Sequence, residues 1–175
     1  QLRRPQAHEA GRREALKDLH GLQVLVADDN ATAREILQHI LESFTCQATL
    51  VESGEAALEI LAGGQRFDLM LLDWKMPGLD GLEVVRRIKG LPAQDVPLPA
   101  IIMLSAYARE EAVAKAQAAG VSHFLHKPIN PSALLDAMLG VFGRSFASRP
   151  HPGAPVPVTI DTRVLVGRRV LLVED

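Results

Sequence analysis

The chain has 175 residues, of which 47% are hydrophobic but only 4% aromatic, so we expect one domain with an aliphatic core, plus tails. The formal net charge of −2 gives no reason to expect nucleic acid or an anionic membrane as a partner. No apolar run approaches the roughly 20 residues that span a bilayer, and a single cysteine, Cys46, excludes an internal disulfide and fits a reducing, cytoplasmic location. Because the chain begins with Gln rather than Met, we interpret it as a piece of a longer protein, which leaves a membrane anchor elsewhere open.

Apolar runs and amphipathic segments alternate five times between residues 22 and 143. The predicted strands lie near 23–27, 47–51, 68–72, 99–104 and 122–125, and the predicted helices near 31–44, 54–63, 81–90, 109–119 and 131–142. Asn30 and Ser53 are placed to cap the first two helices, and Pro131 is placed at the start of the fifth. Alternation with short connections predicts an α/β fold: a doubly wound, five-stranded parallel sheet with helices on both faces.

The two ends of the chain differ in character from this middle part. Residues 1–20 are rich in charge and carry a weak helical stripe, so we interpret them as a linker helix. Residues 144–166 are interpreted as a proline-rich linker, since 149–157 holds four prolines in nine residues. Residues 167–175 match 21–29 at four of nine positions and also end in two acids, which indicates either a chance apolar strand or the truncated first strand of a second, similar domain.

Three acidic residues follow or end predicted strands. Asp28 and Asp29 come directly after the first strand, and Asp73 ends the third. In open α/β sheets, chemistry collects at the carboxyl ends of the strands, where these carboxylates would repel one another unless a cation lay between them. Oxygen ligands of this kind suit Mg²⁺, the usual choice where phosphate is involved. Helix capping by Asp28 or Asp29 and a solvated Asp73 are the structural alternatives.

Together with these acids, three further motifs resemble the receiver domain of two-component response regulators. They are Met76-Pro77-Gly78-Leu79-Asp80-Gly81 after Asp73, Ser105 after the fourth apolar run, and Lys127-Pro128 after the fifth. The resemblance covers roughly residues 22–143, which places a receiver domain at 21–143, and it implies a flavodoxin-like strand order of 2-1-3-4-5. It implies a signalling switch in a phosphorelay, in which Asp73 accepts a phosphoryl group from phosphohistidine in the presence of Mg²⁺.

The resemblance also assigns roles to individual residues. Asp28, Asp29, Asp73 and the backbone carbonyl of Lys75 are the implied metal ligands. Lys127 and Ser105 would contact phosphoryl oxygens, with the Lys127–Pro128 peptide in the cis form that aims the lysine into the site. The alternatives are a surface lysine and a helix-capping serine.

Phe124 matches the switch aromatic of the family, whose inward turn would accompany movement of Ser105. A plain core phenylalanine is the competing interpretation. His123 and His126 have no third ligand at metal spacing, and no glycine-rich nucleotide motif is present, so neither zinc nor nucleotide binding is predicted.

The implied partner is a histidine kinase core or a histidine-phosphotransfer domain, and a weak dimer is left open. A charged linker followed by tandem receivers resembles the C-terminal half of a hybrid sensor histidine kinase. One alternative is a receiver-like docking or dimerisation module that no longer switches. The other is a phosphatase similar to haloacid dehalogenases, but that class needs a second aspartate where this chain has Lys75.

Overall fold

The computed structural model describes residues 17, 19–91, 97–106 and 110–146. Strands and helices alternate as β1 (Gln23–Ala27), α1 (Ala31–Ser43), β2 (Gln47–Val51), α2 (Gly54–Ala62), β3 (Leu69–Asp73), α3 (Gly81–Lys89), β4 (Ala100–Ser105), α4 (Glu110–Ala119), β5 (His123–His126) and α5 (Pro131–Phe146). All ten predicted elements are present. In the described ranges, no helix combines the length and hydrophobicity needed to cross a membrane.

The five strands form one parallel sheet in the order β2-β1-β3-β4-β5, which confirms the predicted strand order. The register places Asp73 beside Leu104 and Ser105 beside His126, so β3, β4 and β5 end at the same edge. This edge is where the carboxyl ends of all parallel strands meet. The side chains that follow the strands are therefore brought together.

The sheet is covered on both faces because its central strands are apolar at all positions between their ends, with polar residues only at Gln23, Asp73 and Ser105. Alternate residues of β1 and β3 point to opposite faces, as expected from the two-residue repeat of a strand. One face packs against α1 and α5, with a core that includes Val24, Val26, Leu69, Leu71, Leu37, Leu41, Leu134 and Met138. The other face packs against α2, α3 and α4, with a core that includes Leu25, Met70, Leu72, Ala57, Leu61, Val84, Ile88 and Ala116.

Helix ends follow the predicted capping chemistry. The side chains of Asn30 and Ser53 accept hydrogen bonds from the backbone N–H groups three residues later, and α5 begins at Pro131. The end of α5 differs from expectation, since the helix continues to Phe146 instead of ending near residue 142. Val141 and Phe142 pack against the core, and no proline occurs between Pro131 and Pro150, so no proline stops the helix at the predicted position.

The segment predicted as a linker helix reaches the core at its C-terminal end. Leu19 is fully buried on the α1 and α5 face of the sheet, while residues 1–16 lie outside the described residues. Gly21, with a φ of +77°, turns the chain into β1. The thiol of Cys46 donates to the carbonyl of Leu19 at 3.3 Å, and burial raises its pKa to about 11, as befits an inert core residue.

The C-terminal predictions lie outside the described residues. These are most of the linker at 144–166 and the truncated strand at 167–175.

Candidate functional site

The three acids predicted from sequence converge at the carboxyl edge of the sheet. Asp28 and Asp29 follow β1, and Asp73 is the last residue of the adjacent strand β3. One carboxylate oxygen from each lies within 4.8 Å of the other two. Asp28 is fully buried and Asp73 is 6% exposed, whereas Asp29 faces solvent. Two desolvated carboxylates this close need a positive charge.

Lys127 supplies a positive charge to this acidic cluster. Its ammonium nitrogen lies 2.7 Å from Oδ2 of Asp28 and 2.8 Å from Oδ1 of Asp73. Lys127 follows β5, and the Lys127–Pro128 peptide bond is cis, as the resemblance implied. Its two carboxylate contacts show that the lysine reaches from the end of β5 past β4 to the ends of β3 and β1.

The charges of Asp73 and Lys127 shift each other's pKa. Burial raises the pKa of Asp73 above its ordinary value, and the negative charges of Asp28 and Asp29 add to this shift, while Lys127 partly opposes it. Burial alone would lower the pKa of Lys127, but its hydrogen bonds to Asp28 and Asp73 outweigh that effect and raise the pKa. The lysine is therefore firmly protonated.

The loop after β1 is held by two contacts that sequence analysis did not predict. Oδ1 of Asp28 accepts a hydrogen bond from the backbone N–H of Asn30 at 3.0 Å. The guanidinium of Arg34, one turn into α1, donates to the carbonyl oxygen of Asp28 at 2.7 Å. These contacts orient Asp28, and Arg34, six residues further along the chain, was the available sequence signal.

A cleft of about 120 Å³ opens above Asp73, lined by Asp73, Trp74, Lys75, Ser105, Ala106 and Lys127. Ser105 is the last residue of β4 and is 3% exposed, and its carbonyl accepts from the N–H of Lys127 at 2.9 Å. Lys75 lines the cleft and is exposed. The structure thus brings Asp73, Ser105 and Lys127 to one small cleft.

Phe124 lies on β5 and is partly buried on the face covered by α2, α3 and α4. Its ring contacts the indole of Trp74, with the centroids 5.9 Å apart. The sequence predicted Phe124 as a switch residue but did not predict this contact. His123 and His126 are exposed on the same strand. Within the described ranges, the acidic cluster is the one group of three or more His, Cys, Asp or Glu side chains that are close enough together to hold a metal ion.

The residues present fit a magnesium ion. All three side chains offer hard oxygen ligands, and neither sulfur nor imidazole belongs to the cluster. A parallel sheet of order 2-1-3-4-5 with helices on both faces defines a flavodoxin-like domain. Its acidic cluster, lysine and hydroxyl lie at the carboxyl edge of the sheet, where such domains bind their ligands.

Residues 24–139 match the sequence profile of the response regulator receiver domain, and the chain belongs to this family. It is 39% identical over 117 residues to the cyclic di-GMP phosphodiesterase response regulator RpfG of Xanthomonas campestris, covering 65% of this chain and 30% of RpfG. It is 30% identical over 131 residues to the chemotaxis protein CheY of Pseudomonas aeruginosa, covering 70% of this chain and 98% of CheY.

The solved structure of the Vibrio cholerae chemotaxis protein CheY4 has the same fold. Its TM-score is 0.62 at 28% identity, and the match covers 69% of this chain and 98% of CheY4. The similarity therefore takes in a whole CheY-type protein but less than a third of RpfG.

Proposed function

We propose that Asp73 of this receiver domain accepts a phosphoryl group from a phosphohistidine and that the domain acts as a signalling switch in a two-component phosphorelay. The observation that carries this proposal is the position of Asp73 on the floor of a small cleft. There it lies beside a protonated lysine and within 4.8 Å of two further carboxylates. A carboxylate so placed is a nucleophile surrounded by groups that neutralise an incoming phosphoryl group.

The transfer is a displacement at phosphorus. A carboxylate oxygen of Asp73 forms the new O–P bond while the P–N bond of the phosphohistidine breaks. The imidazole nitrogen leaves with the electron pair of that bond, and the ring leaves neutral when its other nitrogen carries a proton. Lys127 supplies a fixed positive charge for one phosphoryl oxygen, and the hydroxyl of Ser105 can donate to another.

Mg²⁺ is the proposed cofactor: Asp28, Asp29, Asp73 and the backbone carbonyl of Lys75 would hold it, and it would neutralise charge on the phosphoryl oxygens. Among the described residues, one lysine lies at hydrogen-bond distance from this cluster of three carboxylates, which supports a requirement for a further cation.

The proposed donor is a histidine kinase core or a histidine-phosphotransfer domain. A groove of about 260 Å³ lies beside the site and is lined by Asp28, Asn30, Thr32, Ala33, Ile36, Leu37, Lys127, Pro128 and Ile129. It shares Lys127 with the cleft above Asp73, and Ile36 on α1 is 50% exposed. An apolar surface continuous with the site supports a protein donor that docks there.

The proposed parent is a hybrid sensor histidine kinase with tandem receivers, working in the cytoplasm without nucleic acid contacts in this chain. In this organisation, one linker precedes the domain and a second follows the end of α5 at Phe146. Residues 167–175 begin a second receiver, and the sequence repeat supports that assignment. Deleting residues 158–175 is expected to leave phosphorylation of Asp73 intact and to reduce any self-association, measured by sedimentation. Loss of the fold on deletion would contradict the tandem assignment.

The proposed function is tested with phosphoramidate, a small donor that contains a P–N bond. Incubation with Mg²⁺ is expected to add one phosphoryl group, detected by intact-protein mass and removed by hydroxylamine as an acyl phosphate. Asp73→Asn should abolish the modification, whereas Asp136→Asn, on the exposed side of α5, should not. Phosphorylation of Asp73→Asn would refute the site. A wild type that neither binds Mg²⁺ nor becomes phosphorylated would favour a docking module.

A further inference from the structure

The first turn of α2 contacts the loop that follows Asp73. We call residues 74–80, between β3 and α3, the acceptor loop. Oε1 of Glu55 on α2 accepts a hydrogen bond from the backbone N–H of Leu79 at 3.2 Å. The same oxygen lies 2.5 Å from where a Cβ on Gly78 would stand. The carboxylate thus rests on the apex of the acceptor loop.

A second contact from α2 reaches the same part of the loop. A Cβ built on Gly54 would lie 3.2 Å from both the Cβ and the carbonyl oxygen of Leu79. The absence of a side chain at Gly54 therefore lets the start of α2 approach Leu79 closely. Glu55, the next residue, is brought within reach of the loop backbone by this close packing.

The other anchors of the acceptor loop lie at its base and middle. The N–H of Gly81 donates to the carbonyl of Trp74 at 2.9 Å, and Met76 is only 7% exposed. Gly78, at the apex, has a φ of +79° and is exposed. A glycine next to solvent has wide conformational freedom, so the apex needs an external partner to keep one conformation.

We propose that Glu55 is a positioning residue that fixes the acceptor loop from α2 and thereby sets the affinity of the acidic site for Mg²⁺. The inference rests on the proposed function, because Lys75, whose carbonyl is the proposed fourth ligand, lies between the base and the apex of this loop. An acid in the first turn of α2 would also stabilise the helix dipole. That role predicts a change in unfolding free energy but no change in the loop or in metal affinity.

The test compares Glu55→Ala, Glu55→Gln and the control Glu59→Ala, an exposed glutamate one turn further along α2. Calorimetric titration with Mg²⁺ should show roughly three- to tenfold weaker binding for Glu55→Ala, less than the loss typical of a direct partner of a metal ligand. Glu55→Gln retains an oxygen acceptor and should stay close to the wild type, as should Glu59→Ala. In the metal-free protein, hydrogen exchange at the Leu79 amide should be faster in Glu55→Ala only.

The outcomes separate the two proposals. If the wild type does not bind Mg²⁺, the proposed function and this inference both fail. If the wild type binds and Glu55→Ala binds equally well, the proposed function stands and the positioning role is wrong. If Glu55→Gln is as weak as Glu55→Ala, the charge of Glu55 matters rather than its hydrogen bond, which also overturns the positioning role.

Discussion

The indole ring of Trp74 packs against the phenyl ring of Phe124, with centroids 5.9 Å and planes 43° apart. Trp74 directly follows Asp73 on β3, while Phe124 lies on β5. Phosphorylation of Asp73 would therefore change the surroundings of Trp74, whose ring contacts Phe124. Phe124 is the residue that we expect to turn inward on activation. Tilted aromatic pairs at this distance contribute to packing, so the two rings are coupled in energy as well as in position.

This contact makes Trp74 a reporter for the site. Beryllofluoride, which mimics a phosphoryl group, together with Mg²⁺ is expected to change the fluorescence of wild-type Trp74. Asp73→Asn should abolish the response, because the group has no carboxylate to attach to, and Asp29→Asn should weaken it. Phe124→Leu should alter the size of the signal without abolishing binding. An unchanged response in Asp73→Asn would show that the assignment of the acceptor is wrong.

Replacing Lys127 should separate metal binding from phosphoryl transfer. The Lys127 ammonium occupies Asp28 and Asp73 at hydrogen-bond distance and so competes with a metal ion for both carboxylates. In Lys127→Ala we expect Mg²⁺ to bind roughly three- to tenfold more tightly, as removal of a nearby positive charge predicts. Phosphorylation by phosphoramidate should nevertheless become slower. The control is Lys115→Ala, because Lys115 is an exposed residue of α4. Weaker Mg²⁺ binding in Lys127→Ala would contradict the proposed competition.

The raised pKa of Asp73 predicts a pH-dependent cost to stability. The carboxyl group of Asp73 keeps its proton to a higher pH in the folded protein than in the unfolded chain. The free energy of unfolding therefore falls as the pH rises from the pKa of Asp73 in the unfolded chain to its higher pKa in the folded protein. Asp73→Asn lacks this effect. Without Mg²⁺ and at neutral pH, its free energy of unfolding should exceed that of the wild type by on the order of 1 kcal/mol. The difference should shrink in urea unfolding at acid pH; a constant difference would argue against the charge as its cause.

Most of the fold and the candidate site could be predicted because both depend on local patterns. Short apolar runs marked the strands, and Asp28, Asp73, Ser105 and Lys127 marked the carboxyl ends of four of them. In a parallel sheet those ends share one edge. Asp28, Asp29 and Asp73 were therefore placed together without any knowledge of tertiary contacts, whereas Ser105 and Lys127 were assigned to the site through the resemblance to receiver domains.

The contacts that sequence did not predict each join elements distant along the chain. The hydrogen bond from Leu79 to Glu55 spans 24 residues. The ring contact of Trp74 with Phe124 joins the loop after β3 to β5, which lies two strands away in the sheet. No periodicity encodes such pairs, since they depend on how helices settle on the sheet. Leu19 was likewise placed in a linker because charged residues precede it, although its own side chain is fully buried.

The close approach of α3 to β3 predicts opposite effects for two glycine substitutions. A Cβ on Gly81 would lie 2.5 Å from the carbonyl oxygen of Asp73, a backbone atom that cannot move without shifting the strand end. Gly81→Ala should cost about 1–3 kcal/mol, as overpacking does. Gly140→Ala in α5 meets nothing within 4 Å and should instead stabilise by about 0.5–1 kcal/mol. Chemical unfolding of both variants measures the difference, and equal effects would contradict the packing.

Replacing Ile36 by a charged residue should slow phosphoryl transfer from a protein donor but not from a small-molecule donor. Ile36 lies in the apolar groove beside the site, and Leu98, which is 53% exposed, offers an apolar surface residue outside the groove's lining. With a histidine-phosphotransfer domain that phosphorylates the wild type, Ile36→Asp should slow transfer by roughly tenfold, the effect of losing an interface contact worth about 1.4 kcal/mol.

Leu98→Asp should transfer at the wild-type rate, and phosphoramidate should modify both variants normally, because it needs no docking surface. Slow modification of Ile36→Asp by phosphoramidate would mean that the substitution disturbs Asp28 or Lys127 directly. Unimpaired transfer from the protein donor would mean that the donor approaches Asp73 by another face.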